Sequence, residues 1–224
     1  MKPILLFDID GTLMHVKRAF TRNLIAEILH DFGIGSNPLE NGSYSFAGRT
    51  DKEIFTHLTR GSENSSKMYD EVKKKYLYYM KQNFSPNDTE RIDGATELVE
   101  YGKKEKLKMG LCTGNYRESA FYKVDAAGYK DTFHFGGFGC NHADRKYIPG
   151  EALNDFEKLN GHSPPPERFV VIGDTPNDVR CAKHFGAISV AVTTGSFDAE
   201  QLLESNPDFL LSDLRQLIDH LPNL

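Results

Sequence analysis

Short apolar runs of strand length alternate with longer stretches of helical periodicity along most of this chain. The strand-like runs are residues 3–7 (Pro3-Ile4-Leu5-Leu6-Phe7), 107–112 and 168–172, with weaker ones at 187–192 and 208–211. Helical patterns fall between and after them, near 94–105, 115–127, 149–160, 176–185 and 198–204. Strands that alternate with helices of this length predict an α/β fold, a parallel sheet covered on both faces. A further strand is expected within 133–138, where Gly136 and Gly137 weaken the pattern.

Residues 15–90 break the rhythm. They show no convincing strand but three helical stretches, near 19–32, 50–60 and 65–83. In the last, Met68, Val72, Tyr76 and Met80 recur every four residues, with Lys73, Lys74 and Lys75 mostly on the other side. The cluster of Tyr76, Tyr78 and Tyr79 is expected in the core of these helices. A loop rich in Gly, Asn and Ser at 33–45 and a second break at 83–88, around Pro86, separate the pieces. The division this predicts is a core of residues 1–14 and 91–224 with a helical insert, 15–90. Because the insert begins just after the first strand, it is placed to overhang whatever that strand's end carries.

Composition narrows the classes rather than the function. With 39% apolar and 26% charged residues, 224 residues suffice for one domain or one domain with a sizeable insert. A net charge of −5 gives no electrostatic reason to expect nucleic acid or an anionic membrane as a partner. No apolar run approaches the ~18 residues of a membrane span. The three cysteines, Cys112, Cys140 and Cys181, form no CxxC pair or zinc spacing and read as reduced thiols. The Met1-Lys2 start runs straight into a short strand, so no signal peptide and a cytoplasmic location are expected.

The chemistry gathers where strands end. Asp8-Ile9-Asp10-Gly11-Thr12 follows the first apolar run, and residues two apart in a strand share a face. Two carboxylates that close repel unless a cation or a shared proton intervenes. A solvated acidic turn would explain one such Asp better than both. The functional reading makes Asp8 a nucleophile toward phosphorus and Asp10 the general acid, then base, with a divalent cation such as Mg²⁺ between acids. Thr12 can satisfy the loop backbone or hold Asp10 in place.

Two later strand ends add to this. Leu111-Cys112-Thr113-Gly114-Asn115 puts a hydroxyl before a helix start, a setting for phosphoryl oxygens or simply a strand-to-helix turn capped by Asn115. Gly173-Asp174-Thr175-Pro176-Asn177-Asp178 ends another buried strand in acids. There Asp174 can ligate the cation, and Asp178 sits a turn into the helix where it can orient a basic group or a water. An N-cap role explains one of these acids but not both. A basic group should balance the acidity, and Asp144-Arg145-Lys146-Tyr147-Ile148-Pro149 offers two, unless the pair is merely a solvated surface. In the insert, Arg49 of Phe46-Ala47-Gly48-Arg49-Thr50-Asp51 can meet an anionic substrate, or the segment is a helix entry capped by Thr50 or Asp51. His15 reads as a linker residue.

Together these residues resemble the haloacid dehalogenase (HAD) superfamily: D-x-D-G-T at Asp8 to Thr12, the strand-end Thr113, and G-D-T-x-x-D at Gly173 to Asp178. The resemblance implies a Rossmann-like parallel sheet core with a C1-type helical cap. It implies Asp8 as nucleophile, Asp10 as acid and base, and Mg²⁺ held by Asp8, the Asp10 carbonyl and Asp174. Thr113 and a basic residue would grip the phosphoryl group. The usual Lys-Pro pair of the third motif is absent, and Asp144 to Pro149 looks like a variant with Arg145 in the Lys role and Lys146 as the other candidate. Arg suits the task, being always charged and able to hold a phosphoryl group through two N–H donors. Thr12, Gly114, Asn115 and Arg49 are the candidate substrate contacts, with Asp178 and Lys146 in support behind the site.

Asp10 argues against attack on carbon, because a dehalogenase needs no acid for its leaving halide. The expected function is a Mg²⁺-dependent phosphatase for a small phosphorylated metabolite, phosphoglycolate-like or a sugar phosphate. The alternatives are a mutase of the β-phosphoglucomutase type and, from another class, a non-catalytic binding domain. The expected assembly is a monomer or homodimer.

Overall fold

The structure, a computed structural model, describes residues 2–34, 45–60, 65–140 and 142–224. Of the predicted loop at 33–45, residues 35–44 lie outside the described residues.

The chain opens with β1 (Ile4–Phe7) and a short β2 (Met14–Val16), followed by α1 (Arg18–Asp31), α2 (Asp51–Leu58) and α3 (Ser65–Asn83). After β3 (Thr89–Arg91) the alternation is regular: α4 (Ala95–Lys104), β4 (Lys108–Thr113), α5 (Arg117–Ala126), β5 (Gly136–Phe138) and α6 (Ile148–Asn160). It continues with β6 (Phe169–Gly173), α7 (Pro176–Phe185), β7 (Ile188–Val192), α8 (Ala199–Leu203), β8 (Phe209–Leu211) and α9 (Arg215–His220). Six strands form one parallel sheet in the order β5-β4-β1-β6-β7-β8. This is the α/β parallel sheet that the alternation predicted, in the Rossmann-like form that the resemblance implied.

Burial explains why β1 reads as an unbroken apolar run. Leu5 and Phe7 face one side and pack with Leu98 and Val99 of α4, Val124 of α5 and Leu217 of α9. Ile4 and Leu6 face the other, against Ala152 and Phe156 of α6 and Cys181 and Ala182 of α7. A strand covered on both faces has no polar side to show.

β1 lies at the centre, paired to β4 on one side and β6 on the other. The chain therefore turns opposite ways from the carboxyl ends of these neighbouring strands. The crevice at such a switch point is where open α/β sheets hold ligands. The carboxyl ends of β1, β4 and β6 bring Asp8, Thr113 and Asp174 there.

Three expectations need correction. The span 15–90 is not strand-free at its ends: β2 pairs antiparallel with β3, Met14 opposite Arg91 and Val16 opposite Thr89. Three-residue strands with exposed His15 and Glu90 carry too little alternation to announce themselves. The strand expected over 133–138 begins only at Gly136, where the absence of a side chain matters: a Cβ on Gly137 would lie 1.9 Å from the Ile148 carbonyl oxygen. Of the tyrosine cluster, Tyr76 is buried and Tyr79 packs on Phe20 with ring centroids 5.7 Å apart, but Tyr78 is 63% exposed. On α3 the 76 and 80 positions share the buried face, and residue 78 is half a turn away from it.

The helices α1–α3 have an apolar cluster of their own, with Ile28, Phe55, Val72 and Met80, and Tyr116 of the sheet-bearing part stacks into it against Phe55. Lys75 ties α3 to α1 through Glu27 and Asp31, at 2.7 and 2.9 Å. Among the described residues no helix is long and apolar enough to cross a membrane.

Candidate active site

Asp8 leaves the end of β1 with its backbone N–H still bonded to the Ile172 carbonyl of β6, at 2.9 Å. That bond keeps the first acid in line with the sheet, so it is buried rather than loose in a loop. Asp174 and Asp178 stand beside it. One carboxylate oxygen from each of Asp8, Asp174 and Asp178 lies within 4.8 Å of the others. Burial pushes the Asp8 pKa up to about 6, with Arg145 acting against the rise and Asp178 and Asp10 adding to it. Burial, then the charges of Asp8 and Asp178, drive the Asp174 pKa well above the ordinary carboxylate range.

Local sequence builds each wall of this cluster. Thr175, Pro176 and Asp178 start α7 as a capping box, with the Thr175 N–H and hydroxyl donating to Asp178 Oδ2 at 3.0 and 2.6 Å. The other Asp178 oxygen accepts from Arg145. Arg145 Nη2 also reaches Asp8 Oδ1 at 3.1 Å, and its buried Nε has no hydrogen-bond partner in the structure. A buried donor without an acceptor is costly.

Asp174 sits in a glycine cradle. A Cβ on Gly195 would be 1.7 Å from Asp174 Oδ2, and one on Gly11, whose φ is +85°, would be 2.4 Å from it. The Thr12 hydroxyl donates to Asp174 Oδ1 at 3.2 Å. Thr12 thus contacts the distant acid rather than Asp10 or the loop backbone, the options its sequence position suggested.

Asp10 is held apart from the triad by a group the sequence reading passed over. Lys123 of α5 donates to both Asp10 oxygens, at 2.8 and 2.6 Å, and to Asn115 Oδ1 at 2.7 Å. Asn115 Nδ2 in turn donates to Asp10 Oδ2 and to Thr113 Oγ1, each at 2.8 Å. Burial works to raise the Asp10 pKa, but the Lys123 charge and the Lys123 and Asn115 hydrogen bonds outweigh it, leaving the value below the ordinary one. The signal for Lys123 was its phase: it shares the buried face of α5 with Ser119, Ala120 and Val124. A lysine at such a position needs a buried partner.

The remaining candidates fall in two places. Thr113 is buried at the end of β4, with its oxygen accepting from the Asn115 side chain. Asn115 itself does not cap α5, which starts at Arg117 after Tyr116. Gly114 meets the insert: a Cβ there would be 2.2 Å from the Arg49 carbonyl oxygen, and the Gly114 carbonyl accepts from Asp51 N–H at 2.7 Å. Arg49 lines the same cavity and is ion-paired with Glu53, while Thr50 caps α2. Lys146 points elsewhere, paired with Asp144 at 2.9 Å and 41% exposed.

Several of these groups share one cavity of about 440 Å³. Its floor includes Asp8, Asp10, Thr113, Lys123, Arg145 and Asp174, and residues of α1–α3 and of the loops around them line much of the rest. Segment 48–51 closes one side. Asn177 Nδ2 donates to the Gly48 carbonyl at 2.8 Å, Thr50 Oγ1 to the Ala143 carbonyl at 3.0 Å, and the Tyr116 N–H to Asp51 Oδ2 at 2.8 Å.

Such a floor brings a buried carboxylate, a second carboxylate on a separate hydrogen-bond network, a hydroxyl and a buried guanidinium to one cavity. A family model described as haloacid dehalogenase-like hydrolase matches residues 5–192. A protein of Clostridium perfringens provisionally named pyrophosphatase PpaX is 29% identical over 225 residues, 96% of this chain and 94% of that protein. A phosphoglycolate phosphatase of Mesorhizobium japonicum is 24% identical over 217 residues, 94% of this chain and 91% of the relative. The crystal structure of CbbY from Rhodobacter sphaeroides in complex with phosphate superposes with a TM-score of 0.73. It is 19% identical and covers 99% of this chain and 100% of that one, a likeness of fold.

Proposed function

Because this chain belongs to the haloacid dehalogenase-like hydrolases, whose model spans most of it, we propose that it is a Mg²⁺-dependent phosphatase working through an aspartyl-phosphate on Asp8. The observation that carries this reading is the meeting of Asp8, Thr113 and Arg145, with its unpartnered Nε, at the floor of one cavity. Residues 15–90 act in it as the cap over a core of 1–14 and 91–224, and the substrate is a small phosphorylated metabolite. No nucleic acid or membrane takes part, and a cytoplasmic setting fits the unpaired cysteines.

In the first half-reaction an Asp8 carboxylate oxygen attacks phosphorus as the ester P–O bond breaks. Asp10 gives its proton to the leaving oxygen and is left as the carboxylate that Lys123 and Asn115 hold in place. In the second, water attacks the phosphorus, Asp10 takes a water proton, and phosphate leaves Asp8 free. Thr113 and Arg145 hold the equatorial oxygens where negative charge is spread.

The acids fit a divalent cation: three buried carboxylates within 4.8 Å repel one another and offer the hard oxygen donors that Mg²⁺ takes. Asp8, Asp174 and the Asp10 carbonyl would hold it, since both Asp178 oxygens already bond to Arg145 and Thr175. When bound, the ion offsets the charge that accumulates on the phosphoryl oxygens.

A stability measurement tests the metal directly. Without metal, Asp8 binds protons more tightly folded than unfolded, because its pKa rises from 3.8 to about 6. The native state then holds more protons, so stability falls as pH rises from about 4 through about 6. Mg²⁺ removes that penalty. Its stabilisation, read as a rise in Tm against an EDTA control, should be small near pH 5 and larger near pH 7.5. A Tm insensitive to Mg²⁺ at both pH values would count against the site.

Lys123 acts as a positioning residue for Asp10. Lys123→Met should lower kcat for an alkyl phosphate by roughly 10²-fold, the size of a general-acid contribution. The loss for p-nitrophenyl phosphate should be much smaller, because that leaving group departs without a proton. Equal losses on both esters would assign Lys123 to structure alone.

Phosphate release from a panel of phosphorylated metabolites with Mg²⁺ tests the activity as a whole. Conversion of a hexose 1-phosphate to its 6-phosphate would instead identify a mutase.

A further inference from the structure

Among the described residues, charge gathers on the floor of the cavity, while α1, α2 and α3 line it mainly with apolar side chains, Arg18 and Asp51 excepted. Phe20 and Leu24 of α1, Ile54 and Phe55 of α2, and Met80 of α3 all line the space above Asp8. Tyr76 joins them with its ring, since its hydroxyl interacts with Ser119 and Asp51. The only uncharged polar side chain that α1 adds to the lining is Thr21.

The cations that line the cavity are mostly committed. Arg145 is paired with Asp8 and Asp178, Lys123 with Asp10, and Arg49 with Glu53. His15 and Arg18 are exposed. A second anionic group on a substrate, such as a carboxylate or another phosphate, would enter an apolar roof and lose its hydration there. An apolar body would gain from the same surface. The cavity volume of about 440 Å³ lies in the range of pockets that enclose drug-sized ligands, roughly 300–1,000 Å³. A two-carbon hydroxyacid ester would leave much of it unfilled.

We propose that the substrate is a monophosphate ester of an apolar alcohol or phenol, with its phosphoryl group on Asp8 and its apolar body against α1, α2 and α3. This rests on the phosphatase reading above and narrows the leaving group within it. The scissile bond is the ester P–O bond, the Asp10 proton goes to the released alkoxide, and the alcohol leaves through the apolar side.

The test is a series of n-alkyl phosphates from methyl to octyl with Mg²⁺, beside ω-carboxyalkyl phosphates of equal length and 2-phosphoglycolate. In the alkyl series kcat/KM should rise about fourfold for each methylene buried, until the roof is filled. A terminal carboxylate should cancel most of the gain, and 2-phosphoglycolate should lie near the methyl ester. Leu24→Asn, with folding checked by its thermal midpoint, should flatten the series. A flat series, or carboxylated esters faster than alkyl ones of the same length, would overturn the proposal, the latter giving His15 or Arg18 a second anion. Binding of n-alkylphosphonates by calorimetry separates this inference from the activity. Affinity that rises with chain length supports it even if no ester is hydrolysed, and affinity independent of length refutes it even if all are.

Discussion

Asp8→Asn should remove phosphate release almost completely, by roughly 10⁴–10⁶-fold, while the protein stays folded. The amide keeps the volume of the carboxyl at a buried position and can still accept from Arg145 Nη2, which now sits 3.1 Å from Asp8 Oδ1. It cannot supply the attacking electron pair of a carboxylate. Stability should hold or improve in the metal-free protein, because the change takes one of three crowded negative charges out of the Asp8, Asp174 and Asp178 cluster. Two measurements decide the matter together. Tm in EDTA near pH 7.5 should not fall, and intact-protein mass spectrometry after rapid quenching should show a phosphoryl adduct on the wild type and none on the variant. Turnover near the wild-type rate in a folded Asp8→Asn protein would sink the aspartyl-phosphate reading.

How much of this was legible from the residues follows from where information is local. β1, β4 and β6 could be read because parallel strands buried on both faces are apolar runs, and each ends in a residue whose chemistry stands out from that run. Asp8, Thr113 and Asp174 are visible for this reason. The pairings between strand ends are another matter. Thr12 bonds to Asp174 across 162 positions, and Lys123 bonds to Asp10 across 113. Nothing near Thr12 says which acid it will meet. Lys123 reads as an ordinary exposed helix residue unless its phase on α5 is set against Ala120 and Val124. Gly195 follows β7, where the sequence shows only a turn, and its role emerges once the Asp174 carboxylate is seen against it. The apolar lining above the acids was not legible for a related reason. Its residues repeat as any helix core does, and periodicity alone does not tell a packed face from one that also lines a cavity.

Arg145 and Lys146 are neighbours in sequence with opposite surroundings, and replacing each by Ala should give opposite results. Arg145 is buried between Asp8 and Asp178, whereas Lys146 is 41% exposed and pairs with Asp144 on the surface. Arg145→Ala strips the positive charge from a cluster that includes three carboxylates. Breaking a buried pair this way costs about 3–5 kcal/mol. The penalty should be smaller near pH 5 than near pH 7.5, because Asp8, with its pKa already up to about 6, can take a proton in place of the lost cation. The rate at a temperature where the variant is still folded should fall by roughly 10³-fold, the scale for losing a preorganised donor to a developing charge. Lys146→Ala should stay within about twofold in rate and about 0.5 kcal/mol in stability, as exposed pairs do. Arg145→Lys separates charge from geometry. An ammonium can restore one contact, to Asp8 or to Asp178, but not both together with the Nε donor that now lacks a partner. It should recover most of the stability and little of the rate. If instead Lys146→Ala abolished turnover and Arg145→Ala left it intact, the phosphoryl grip would have to be rebuilt around a side chain that turns away from the acids.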